Sequence, residues 1–96
     1  MYAGLYAVPR IDERRTFVGA IEYFLPARSR EFLLGLTVNI SDSGLCIKTS
    51  ASLGVGEIVV IRNKLPVPCK KAAIMWVRKD PKNFYRAGLR FLRDGP

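Results

Sequence analysis

Two short stretches of this 96-residue chain hold side chains whose types and spacing could bind a ligand. The first is Arg10-Ile11-Asp12-Glu13-Arg14, followed at once by Arg15. Each guanidinium presents a planar fork of donors that matches a phosphate, and its plane can stack on a ring. The second is Asn39-Ile40-Ser41-Asp42-Ser43-Gly44, of the form Asn-x-Ser-x-x-Gly. Its amide and hydroxyl groups can both donate and accept hydrogen bonds, and its glycine permits a positive φ and a close backbone approach. Each stretch also has a plainer reading. Arg10, Arg14 and Arg15 suit a solvated basic tail, and 39–44 suits a polar hairpin turn. With ten Arg in the chain, about one Arg pair at this spacing is expected by composition, and Arg86-Ala87-Gly88-Leu89-Arg90 has it too.

Catalysis finds no support. The chain has no His, which removes the commonest general base and metal ligand. Asp12 and Glu13 are adjacent and would not converge in a regular element. Gly54 and Gly56 lack the third glycine and the helix of a dinucleotide fingerprint and read as turn glycines. No catalytic residue, metal site or cofactor is expected. Cys46 and Cys69 leave a single disulfide open but form no framework.

Sixteen Lys and Arg against eight Asp and Glu give a formal charge of +8. Such a surface attracts nucleic acid, anionic lipid or a phosphorylated small molecule, or simply keeps the protein soluble. No apolar run approaches the roughly 20 residues that span a bilayer. The start, Met1 to Val8, lacks the basic n-region of a signal peptide, so the expected compartment is the cytoplasm.

The elements that must position these groups read as strands. They are Thr16 to Leu25, Phe32 to Ser41, Gly44 to Thr49, Glu57 to Arg62, Lys70 to Arg78 and Phe84 to Leu92, separated by turn residues. Alternation assigns Phe17, Gly19, Ile21, Tyr23 and Leu25 to one face of the first strand. In the second it assigns Leu34, Leu36, Val38 and Ile40 to the apolar side, with Asn39 and Ser41 pointing outward. In the last, Tyr85, Ala87, Leu89 and Phe91 oppose Arg86 and Arg90. Two prolines exclude 63–68 from any central strand. Trp76 is expected to fill the interior. Six strands at hairpin spacing with no convincing helix predict an all-β, six-stranded antiparallel barrel.

In their order and context the two stretches resemble the PilZ family, whose members carry Arg-x-x-x-Arg before the first strand and Asp/Asn-x-Ser-x-x-Gly after the second. Leu53-Gly54-Val55-Gly56-Glu57, Ala73-Ile74-Met75-Trp76-Val77 and Tyr85 to Phe91 resemble the family's later turn and strands, so the likeness spans residues 10 to 92. It implies a PilZ-type barrel over 10–96 behind a tail of 1–9. It also implies a receptor for cyclic di-GMP, with Arg10, Arg14, Arg15, Asn39, Ser41 and Gly44 as the binding set. Arg10 and Arg14 would serve the guanine edges and phosphates, and Asn39 and Ser41 would meet guanine donors. The terminal helix common in the family is short or absent here, and Asn39 stands where Asp is commoner. With no output domain, the Arg segment would order on binding and signal to an unidentified effector protein in trans. A homodimer is left open. The alternatives are a small basic barrel that binds nucleic acid, which ranks below the dinucleotide, and a divergent PilZ domain acting only through protein contacts.

Overall fold

The computed structural model describes residues 15–93. Six antiparallel strands form one sheet: β1 (Arg15–Phe24), β2 (Leu33–Ile40), β3 (Gly44–Thr49), β4 (Ile58–Ile61), β5 (Lys71–Asp80) and β6 (Phe84–Leu92). The sheet closes on itself in the order β1-β2-β3-β6-β5-β4, which removes most of the open edge. No helix occurs among the described residues, so none there is long and apolar enough to cross a membrane. The expected all-β ring is present, each strand within two residues of its sequence-derived limits.

The alternation read from β1 and β6 holds. Ile21, Tyr23 and Leu25 enter the core from β1 and its exit, and Ala87, Leu89 and Phe91 enter it from β6. They pack with Ile40, Leu45, Ile47, Val59, Ile61, Ala72 and Ile74. Burying each of the larger aliphatic side chains stabilises the fold by about 1.5–3 kcal/mol. The proline-bearing loop between β4 and β5 forms no strand, and it contributes Leu65, Val67 and Cys69 to the same core. Both cysteines are buried.

The ring closes narrowly between β1 and β4. Only Tyr23 opposite Ile61 and Phe24 opposite Val60 pair there. The ladder then continues by other means: the Arg62 amide donates to the Glu22 carbonyl at 2.8 Å, and the Glu22 amide donates to the side-chain oxygen of Asn63 at 2.6 Å. An asparagine side chain thus substitutes for backbone where the chain leaves the strand.

Two expectations about apolar side chains fail, both on strands with bulges. On β2, Leu34 and Leu36 are exposed, while Gly35 and Thr37 face the interior. The ladder shifts between Thr37 and Asn39, and only beyond that shift does Ile40 enter the core. On β5, Trp76 does not fill the interior. It lies outside the ring and is 43% exposed, because a shift between Ile74 and Trp76 sets two residues against one on β6. The hydroxyls that β2 and its neighbours turn inward are satisfied. Thr37 donates to the Gly19 carbonyl at 3.1 Å, and Tyr23 Oη and Thr49 Oγ1 share a hydrogen bond of 2.7 Å. No buried side-chain polar atom among the described residues lacks a partner.

Candidate functional site

The turn between β2 and β3 is built from its own polar groups. The Ser41 amide donates to the Gly44 carbonyl at 2.8 Å, and Ser41 Oγ accepts from the Ser43 amide at 3.3 Å. The Ser43 carbonyl accepts from the Phe91 amide at 2.7 Å, which ties the turn to β6. Arg93 Nη2 donates to the Asp42 carbonyl. Ser41 is fully buried, against its expected outward orientation, so its hydroxyl shapes the turn from within. Gly44 also departs from expectation. Its φ is not positive, the one such glycine among the described residues being Gly56. Close approach is what Gly44 provides: a Cβ there would lie 2.0 Å from the Leu89 carbonyl oxygen.

Asn39 is half-buried and heads a row that crosses four strands. Asn39 pairs with Cys46, Cys46 with Gly88, and Gly88 with Trp76. Paired residues on adjacent strands share a face, so the row runs across the outside of the ring. The indole lies over Gly88, whose added Cβ would meet Trp76 Nε1 at 2.0 Å. A glycine inside a regular strand therefore makes the seat for an aromatic ring.

Cations flank the ring on both sides. Arg90 pairs with Gly44 one row away, and Arg78 pairs with Arg86 on the other side. The Arg78 guanidinium carbon is 5.8 Å from the Trp76 ring centroid, within cation–π range. Asp80 partly neutralises this group, at 3.3 Å from Arg86 and 3.9 Å from Arg78. Beside the indole is a shallow groove of about 210 Å³ lined by Ser43, Gly44, Met75, Trp76, Gly88 and Arg90. It adjoins a larger one of about 650 Å³ that shares Ser43, Met75 and Arg90 and reaches Arg93. Together they offer an aromatic face and guanidiniums along one surface, which suits a planar, anionic ligand.

No family model and no curated protein sequence matches the chain.

Of the sequence-derived set, Asn39, Ser41 and Gly44 come together at the turn, with Asn39 nearest the outer surface. Arg10 and Arg14 lie outside the described residues. Arg15 opens β1, where its backbone pairs with Ile40, and Thr16 pairs with Asn39. Trp76, Gly88 and Arg90 were not among the residues expected to bind. A strand glycine facing the chain's one tryptophan was the available signal, but the pairing that joins them spans twelve residues and a bulge.

Proposed function

We propose that this chain is a receptor for cyclic di-GMP that binds the dinucleotide on the outer wall of the ring beside the Asn39–Gly44 turn. The observation that carries the reading is the register of β1 on β2. Arg15 pairs with Ile40 and Thr16 with Asn39, so β1 begins alongside this turn. Consecutive Cα atoms are about 3.8 Å apart, and Arg10 is five residues from Arg15, within reach of roughly 17 Å. The chain length from Arg15 permits both guanidiniums of the Arg-x-x-x-Arg stretch to reach the turn.

The roles follow from chemistry. Arg10 and Arg14 pair with phosphate and with the guanine O6/N7 edge. The Asn39 amide oxygen accepts from guanine N1–H or N2–H₂. Trp76 supplies a stacking face, with a base on it worth about 1–3 kcal/mol. Ser41 and Gly44 act through the turn they hold, Ser41 by its buried hydroxyl and Gly44 by its contact with β6. The ordering of the Arg segment is the signal, and an effector protein in the cytoplasm reads it.

Calorimetric titration with cyclic di-GMP tests the assignment. Arg14→Ala is expected to abolish binding while the folded ring persists, and Trp76→Ala to weaken it by roughly tenfold or more. Unchanged affinity in folded Arg14→Ala would overturn the reading.

The exposed Trp76 among Arg78, Arg86 and Arg90 also favours a second reading, a basic barrel that stacks the bases of single-stranded nucleic acid. Oligonucleotide binding with a steep salt slope, and no response to cyclic di-GMP, would select it.

A further inference from the structure

The outer wall of β1 and β2 carries a different surface. Val18 is 75% exposed, Leu34 68% and Leu36 50%, and all three stand on this one wall. Ala20 pairs with Leu36, so the side chains adjoin across the ladder. Scattered exposed aliphatics are ordinary, whereas a contiguous set on an uncovered sheet face marks an interaction surface.

The charges at its margins say what would cover it. Glu22 pairs with Leu34 on the β1 side. Lys48 pairs with Leu36 on the β3 side. An acid and a base thus stand at opposite corners of a short aliphatic centre. A two-fold axis in the plane of the contact, perpendicular to the line from Glu22 to Lys48, exchanges the two corners. Glu22 of one protomer then faces Lys48 of its partner, twice, with Leu34 and Leu36 between them. Such self-complementarity is what an isologous contact requires. It also matters for a chain of formal charge +8, whose copies repel elsewhere on their surfaces. Glu22 already touches Arg62 at 3.5 Å, but its side chain is 43% exposed and keeps capacity for a second cation. Lys48 lies over the Phe84 ring at 5.3 Å and retains ammonium donors for a partner.

We infer that this wall is the interface of a symmetric homodimer, centred on Leu34 and Leu36 and oriented by reciprocal Glu22–Lys48 pairs. This does not depend on the ligand reading.

Sedimentation velocity over a range of chain concentrations, with thermal unfolding as the folding control, tests it. The wild type is expected to dimerise, and Leu34→Ser with Leu36→Ser to be a folded monomer. Glu22→Lys and Lys48→Glu are each expected to weaken self-association roughly tenfold or more, since each turns two attractions into two repulsions. Mixing those two variants restores a dimer, because every pair across the heterodimer is then of opposite sign. That reciprocal rescue is specific to this contact. A wild type that stays monomeric at millimolar concentration overturns the inference and assigns the wall to another protein or to residues 1–9. A dimer indifferent to all four substitutions overturns it as well.

Discussion

The two outer walls of the ring are made from the same pleat and carry opposite surfaces. On β3, β6 and β5 the wall is shaped by glycines. Gly44 lets β3 press on the Leu89 carbonyl, and Gly88 seats the Trp76 indole. On β1 and β2 the wall is a set of side chains, Val18, Leu34 and Leu36, standing in solvent. Missing side chains define the first wall and surplus ones the second. The first should therefore be intolerant of added atoms, while the second should lose exposed atoms at little cost to folding.

The sharpest break in that contrast is Gly44→Ala. The new Cβ meets a backbone oxygen, which cannot swing aside, so β3 or β6 must shift. A loss of about 3 kcal/mol, at the upper end for overpacking, is expected in chemical denaturation. A wild-type midpoint would refute the close approach.

Beneath the second wall, Tyr23→Phe removes the phenol that bonds Thr49. A loss of about 1–1.5 kcal/mol is expected from that buried hydrogen bond. Burial also raises the Tyr23 phenol above its ordinary value of 10.0, against the smaller lowering effects of the Thr49 bond and the Arg28 charge. The folded state therefore holds this proton more tightly than the unfolded chain. Its contribution is full below about pH 10 and is lost as pH rises through the elevated folded value. Tyr23→Phe should consequently lose stability less steeply on the alkaline limb, measured by thermal melts from pH 8 upward. An identical alkaline limb in both proteins would remove that phenol from the account.

Gly88→Ala comes next. Its Cβ would strike the indole, a half-exposed side chain that can turn away, so about 1 kcal/mol or less is expected. The informative change is in Trp76 fluorescence, whose emission should move to longer wavelength as the ring leaves its seat. An unmoved spectrum would mean the indole rests elsewhere.

The smallest effect belongs to Leu36→Ser, within about 0.5 kcal/mol for the isolated protomer, because little apolar area is uncovered by removing an exposed side chain. Measured under dilute conditions, a loss of several kcal/mol would show that this side chain is buried after all.

How far the sequence could be read depends on where the ladders are regular. The β3–β6 ladder has no shift, and there alternation carried directly into burial: Ala87, Leu89 and Phe91 point in, and Arg90 points out. β1, β2 and β5 each contain a shift, and the inversions of Leu34, Leu36 and Trp76 fall on two of them. An extra residue reverses the face of everything beyond it, and hydrophobicity does not reveal which residue is extra. The same limit applied to the site. Asn39, Ser41 and Gly44 are neighbours along the chain and could be recognised as a group. Their association with Gly88 and Trp76 could not.

The chain's own residues thus determined six strands, their turns and a turn rich in hydrogen-bonding groups, because these depend on local alternation, prolines and glycines. Folding decided which wall each residue occupies. It brought the start of β1 to the Asn39 turn, set an indole on a glycine and left Val18, Leu34 and Leu36 outside. The physical reason is that strand register is a property of pairs of strands, fixed by the closure of the whole ring and by the bulges that closure accommodates.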